Sequence, residues 1–64
     1  MRETELWRRL GHHLGAGYAH VWADQTVISE LGGRTVTEAL AAVLDAQRVW
    51  RAVWGFLELS ESER

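Results

Sequence analysis

Apolar residues recur along most of this chain at helical spacing. Stepped by about 100° per residue, Leu6, Trp7, Leu10 and Leu14 fall on one face, and Arg8, Arg9 and His12 on the other. Thr4 is a natural N-cap for this helix, Glu5 suits its first turn, and Gly15 would end it. A helix over 5–14 is therefore expected. Next, Tyr18, Val21 and Trp22 share one face, while Val27, Ile28 and Leu31 share another, rotated by roughly a third of a turn. One straight helix does not bury both sets. Two short helices are expected, over 17–23 and 25–31, with a break near Asp24.

Leu31-Gly32-Gly33-Arg34-Thr35-Val36-Thr37-Glu38 holds a helix stop followed by a helix start. Glycine just past an apolar turn suits the left-handed residue that terminates a helix. Thr35 with Glu38 three residues on has the spacing of a capping box. The third helix is expected over 36–44, through Val36, Leu40, Val43 and Leu44, and the fourth over 46–58 behind Asp45. Neither Pro nor Gly stands at that last junction, so fusion of the two helices is the alternative. No stretch alternates with period two long enough to be a strand. The pattern predicts an all-α fold, a small bundle of four or five short helices, as a single domain over 1–64. Residues 60–64, Ser-Glu-Ser-Glu-Arg, have nothing to bury and are expected to fray.

Sixty-four residues bury a limited core, so stability must come from tight packing, a partner or cross-links. Cysteine is absent, which removes disulfides and thiolate metal sites. Four tryptophans, Trp7, Trp22, Trp50 and Trp54, offer large apolar area instead. The net charge of −2, with charges of both signs dispersed, is unlike a basic nucleic-acid footprint. No apolar run is long enough for a leader or a membrane span, so a cytoplasmic protein is expected.

Catalytic chemistry finds little support. His12 and His13 point about 100° apart on a helix and do not readily share an ion. No metal site or cofactor is expected. Ser29, Ser60 and Ser62 lie in a helix or a polar tail, not on a strained nucleophile turn. His20 and Asp24 have the spacing of an ordinary surface pair. Gly32-Gly33-Arg34-Thr35 could hold a phosphate at a helix N-terminus, but the capping box already uses two of its donors. An enzyme acting on a small-molecule substrate is not expected.

Binding is the better-supported class. Val49, Trp50, Val53, Trp54, Phe56 and Leu57 span about 160° of the fourth helix, wide for a small bundle. Part of that arc is expected to stay exposed as a contact surface for a protein partner or a second copy. Trp50, Trp54, Phe56 and Arg51 are the candidate residues, with Trp7 as core support. The alternative is a DNA-binding helix-turn-helix formed by the last two helices. Gln47, Arg48 and Arg51 would then open the recognition helix, and Arg34 would assist on phosphate.

The whole chain resembles a family of short actinobacterial proteins known only as a domain of unknown function. The likeness rests on Thr4-Glu5-Leu6-Trp7-Arg8-Arg9, Tyr18-Ala19 with Trp22-Ala23, Leu31-Gly32-Gly33-Arg34-Thr35-Val36 followed by Glu38-Ala39-Leu40-Ala41-Ala42, and Val49-Trp50-Arg51-Ala52. It implies a small helical cytoplasmic protein, with genes often near that of the recombination protein RecA and so a DNA-repair context. It implies no catalytic residues. Relatives tend to have Gly and Pro between the last two helices, where this chain has Val43 and Ala46, and Pro before the Tyr, where it has Ala16. Loss of those breakers favours a continuous helix from Val36 to Leu57, whose exposed apolar face would promote dimerisation or swapping.

Overall fold

A computed structural model describes residues 1–64. Four α-helices follow in order: α1 Glu3–Leu14, α2 Ala16–Gln25, α3 Val36–Ala41 and α4 Ala46–Phe56. Short 3-10 turns cover Ser29–Leu31 and Glu61–Glu63, and there is no strand. The all-α expectation holds.

Helix α1 begins two residues before the expected start. Arg2 occupies the cap position and its carbonyl accepts the Glu5 and Leu6 amides, so Thr4 lies inside the helix and caps nothing. The earlier start sets both Glu3 and Glu5 in the first turn, where the helix dipole favours them. Gly15 ends α1 as expected, at φ 91°, and α2 begins directly after it.

Helix α2 departs further. It continues through Asp24 to Gln25 without a break. Asp24 accepts the hydroxyl of Thr37 on α3 instead of capping a new helix. The β-branched run Thr26-Val27-Ile28 leaves the helix, and Ile28 pairs with Arg34 across an isolated antiparallel bridge. Only Ser29–Leu31 coils, so the expected helix over 25–31 is replaced by a bridged loop. Nor do Tyr18 and Val21 enter the core. Helix α2 turns Ala19, Trp22 and Ala23 inward, and Tyr18 and Val21 stay about half exposed. Where α2 leaves α1, Gly11 and Ala16 meet: a Cβ on Gly11 would lie at an ordinary contact distance, 3.6 Å, from the Ala16 Cα.

Gly32 adopts the left-handed conformation after the turn, and the capping box forms in full. The Thr35 amide donates to Glu38 Oε1 at 2.9 Å, and the Glu38 amide donates to Thr35 Oγ1 at 3.1 Å.

The α3–α4 junction resolves as a turn, not a fused helix. Helix α3 stops at Ala41 because Val43 takes φ 62°. The Val43 amide then donates to the Leu40 carbonyl and the Leu44 amide to the Ala39 carbonyl, the two bonds of a Schellman stop. Helix α4 ends at Phe56 by the same device, with Glu58 at φ 55° and the Glu58 and Leu59 amides donating to Gly55 and Trp54. Both stops use a residue with a Cβ where glycine is usual.

One core joins these elements. Leu6, Leu10, Ile28, Leu31, Val36, Val49, Trp50 and Val53 are fully buried, each contributing about 2 kcal/mol of transfer free energy on average. Residues 60–64, expected to fray, lie against α1 and α4 in this structure. That tail folds back as a 3-10 turn, in which its carbonyls accept the N–H groups of buried Trp50 and half-buried Trp54.

A β-branched residue at positive φ is strained, and Val43 is 89% exposed with no packing to lose. Val43→Gly is expected to raise stability by about 1 kcal/mol in urea denaturation followed by tryptophan fluorescence. Thr35→Ala is expected to lower it by about 1 kcal/mol, through loss of the cap. A destabilised V43G chain would contradict the left-handed stop.

Candidate interaction surfaces

The four residues expected to form one contact surface on α4 separate in the structure. Trp50 is fully buried, and its indole N–H donates to the Glu63 carbonyl at 3.1 Å. His13 stacks above its ring and the Arg9 guanidinium lies 5.5 Å from the ring centroid. Trp50 is thus a core residue and not a contact surface, because α1 and the tail close over it. Trp54 is half-buried: its N–H donates to the Ser60 carbonyl at 2.8 Å, and Arg64 covers its face. Phe56 is 48% exposed and meets Trp22 edge-on. Arg51 is exposed and lines a recess apart from these aromatics. Trp7 supports the core from a half-buried position, stacked on His20 at 4.3 Å.

What the fold does bring together is an apolar strip across α2 and the end of α4. Tyr18, Val21 and Trp22 occupy neighbouring positions on α2, and Phe56 joins them through Trp22. Periodicity puts Tyr18 and Val21 on one face with Trp22, but the fold buries only Trp22 of the three. The missed signal is Ala19 and Ala23, spaced to form a small-residue face with Trp22 between them.

The residues of the DNA reading are better grouped. Gln47, Arg48 and Arg51 line an open recess of about 380 Å³ together with Ala52, Glu30 and Asp45. Arg34 lies on the bridged loop and its guanidinium reaches the Leu31 carbonyl at 3.5 Å. The ion pairs of the molecule engage Arg8, Arg9, Arg64 and His13, which leaves Arg34, Arg48 and Arg51 without a carboxylate within 4.0 Å. Glu30 and Asp45 reduce the positive potential of the recess.

A second cleft, of about 270 Å³, is wholly polar and lies between α1 and the tail, lined by Arg8, Arg9, His12, His13, Ser62, Glu63 and Arg64. Glu5 organises its α1 side, accepting from Arg8 Nε at 3.0 Å and Arg9 Nε at 2.9 Å. Hydrogen bonds from Arg8 and then Arg9 hold the Glu5 carboxyl down at about 2, and the bond to Glu5 raises the Arg8 guanidinium above its ordinary value. Across the cleft, His13 Nε2 on α1 meets Glu63 Oε2 of the tail at 3.1 Å. His12 and His13 meet edge to face, and no three His, Asp or Glu residues converge as metal ligands would. His20 and Asp24 do not pair, since Trp7 and Thr37 engage them separately.

The model of a family described as a protein of unknown function (DUF3046) matches residues 1–62. The chain belongs to the DUF3046 family. That match takes in all four helices, the apolar strip and the recess beside Arg48 and Arg51, while the polar cleft also draws on Glu63 and Arg64 beyond it. No curated protein and no solved structure matches the chain. No helix is long and apolar enough to cross a membrane.

The pairing at Glu5 has a measurable acid signature. A carboxyl lowered from 4.5 to about 2 favours the folded state above pH 4.5, and that contribution is lost as pH falls toward 2. Side-chain carboxyl NMR should therefore place the Glu5 midpoint near 2, and Arg8→Ala should return it toward 4.5. A normal midpoint in the unaltered chain would contradict the geometry.

Proposed function

We propose that this DUF3046 protein is a non-catalytic binding module whose partner is another protein, met through the strip formed by Tyr18, Val21, Trp22 and Phe56. The observation that carries this reading is that Tyr18 and Phe56 stay about half exposed, Phe56 packed edge-on against Trp22 and Tyr18 one turn before Trp22 on α2. Aromatic anchors of this kind concentrate binding energy at interfaces. An aromatic side chain covers about 150–250 Å² when fully buried, so half-exposed Tyr18 and Phe56 offer roughly 100 Å² each. The strip is thus too small for an obligate dimer, which needs about 800 Å² or more per partner. A transient partner with an apolar patch of matching size fits it, and the chain itself is expected to be monomeric. The reading involves no cofactor and no small-molecule substrate, and it assumes a cytoplasmic setting.

One observation favours a second reading, DNA binding through Gln47, Arg48, Arg51 and Arg34. Those three arginines carry no internal counterion, and the DNA-repair context implied by the family resemblance would suit it. Phosphate contacts by so few cations give weak binding with a shallow salt dependence.

Photo-crosslinking in the native host separates the two. A crosslinker at position 18 or 56 is expected to capture one protein, unaffected by nuclease. Tyr18→Ala and Phe56→Ala are each expected to weaken binding of that purified protein about tenfold or more. Capture confined to a crosslinker at position 48, abolished by nuclease, would establish the DNA reading instead. Full affinity in the double variant would reject the strip.

A further inference from the structure

Beyond Leu59 the chain has no apolar side chain, yet Ser60–Arg64 is held at both ends. The contacts go mainly to its backbone. Trp54 donates to the Ser60 carbonyl at 2.8 Å, Trp50 to the Glu63 carbonyl at 3.1 Å, and Arg9 to the terminal Arg64 oxygen at 3.5 Å. The one tail carboxylate these walls read is that of Glu63, which meets His13. Helices α1 and α4 thus form a groove that takes backbone carbonyls from a short coiled segment and a carboxylate from one of its side chains. Nothing in that recognition requires the segment to be covalently attached.

We propose that this α1–α4 groove is a docking site for an acidic peptide segment of a partner protein, occupied in cis by Ser60–Arg64. The Trp50 N–H decides the form of the exchange. With the tail displaced, the N–H loses the Glu63 carbonyl and faces the vacated groove, where water or another chain's carbonyl meets it. A segment that supplies a carbonyl there and a carboxylate opposite His13 therefore competes with the tail, and the acidic character of the tail defines the competitor. A short tether holds the tail at an effective concentration on the order of millimolar, so the cis segment acts as an autoinhibitory strap against weak ligands. The groove is separate from the Tyr18–Phe56 strip, and either can fail without the other.

Fluorescence anisotropy on the full-length chain tests this, with a labelled synthetic peptide of the sequence of residues 59–64 as the probe. A Glu63→Ala, Arg64→Ala chain, shown to be helical by circular dichroism, is expected to bind the probe at least tenfold more tightly than the unaltered chain. Adding His13→Ala is expected to remove most of that gain. No binding to the folded variant at millimolar probe, or binding unchanged by H13A, would overturn the proposal. Dimers that exchange tails in sedimentation would overturn it too, by making the occupant a second copy. Hydrogen exchange on the unaltered chain gives an independent check. The Trp50 and Trp54 indole N–H groups should exchange at least a hundredfold faster than the Val53 amide; equal rates would mean that the tail leaves only on global unfolding, and would reject a strap.

Discussion

Trp50 has its whole surface removed from water, and its single polar hydrogen still needs an acceptor inside the molecule. The carbonyl of Glu63 meets that requirement, thirteen residues away along the chain. Much else follows. The tail must return across α4, which requires Glu58 to reverse the chain in a left-handed conformation. Once returned, it brings Glu63 to His13 and Arg64 over Trp54. A residue chosen for apolar area thus dictates the path of a polar segment, because burial of an indole brings its N–H along.

The junctions show how differently one constraint can be met. After Leu31 the reversal uses glycines at Gly32 and Gly33, both at φ 75°, and the next helix opens on a complete capping box. After Ala41 the same left-handed geometry falls to Val43, a residue poorly suited to it. Helix α3 still stops there, because Val36, Ala39, Val49 and Trp50 cannot all be buried in one core unless the chain turns between them. Tertiary packing outweighs the local cost, which is of the order of 1–2 kcal/mol.

Charge is distributed unevenly over the surface. Arg8, Arg9 and Arg64 hold carboxylates on or near α1 and the tail, where they shape the polar cleft. Arg34, Arg48 and Arg51 face solvent without such partners. The aromatic groups divide similarly: Trp50 and Trp54 are enclosed by the tail, while Phe56 and Tyr18 remain open. Three surfaces of distinct chemistry therefore lie on one 64-residue molecule.

Local chemistry was legible wherever neighbouring residues supply both halves of an interaction. The capping box at Thr35 and Glu38, the stop at Gly15, the left-handed Gly32 and the helical period of α1 and α4 all belong to this kind, since their partners lie within one turn. The all-α class follows from the same periodicity. Tertiary structure decided which apolar face each helix buries. Helix α2 presents Ala19, Trp22 and Ala23 inward and leaves Tyr18 and Val21 outside, a choice of face that periodicity alone does not make. It also decided the fate of Asp24, Val43 and the tail, whose partners lie on other elements or whose strain is offset by packing elsewhere. The aromatic arc of α4 was readable as an arc, but its division into core, covered and open residues depends on where a polar tail finds its acceptor role, and that is a property of the assembled fold.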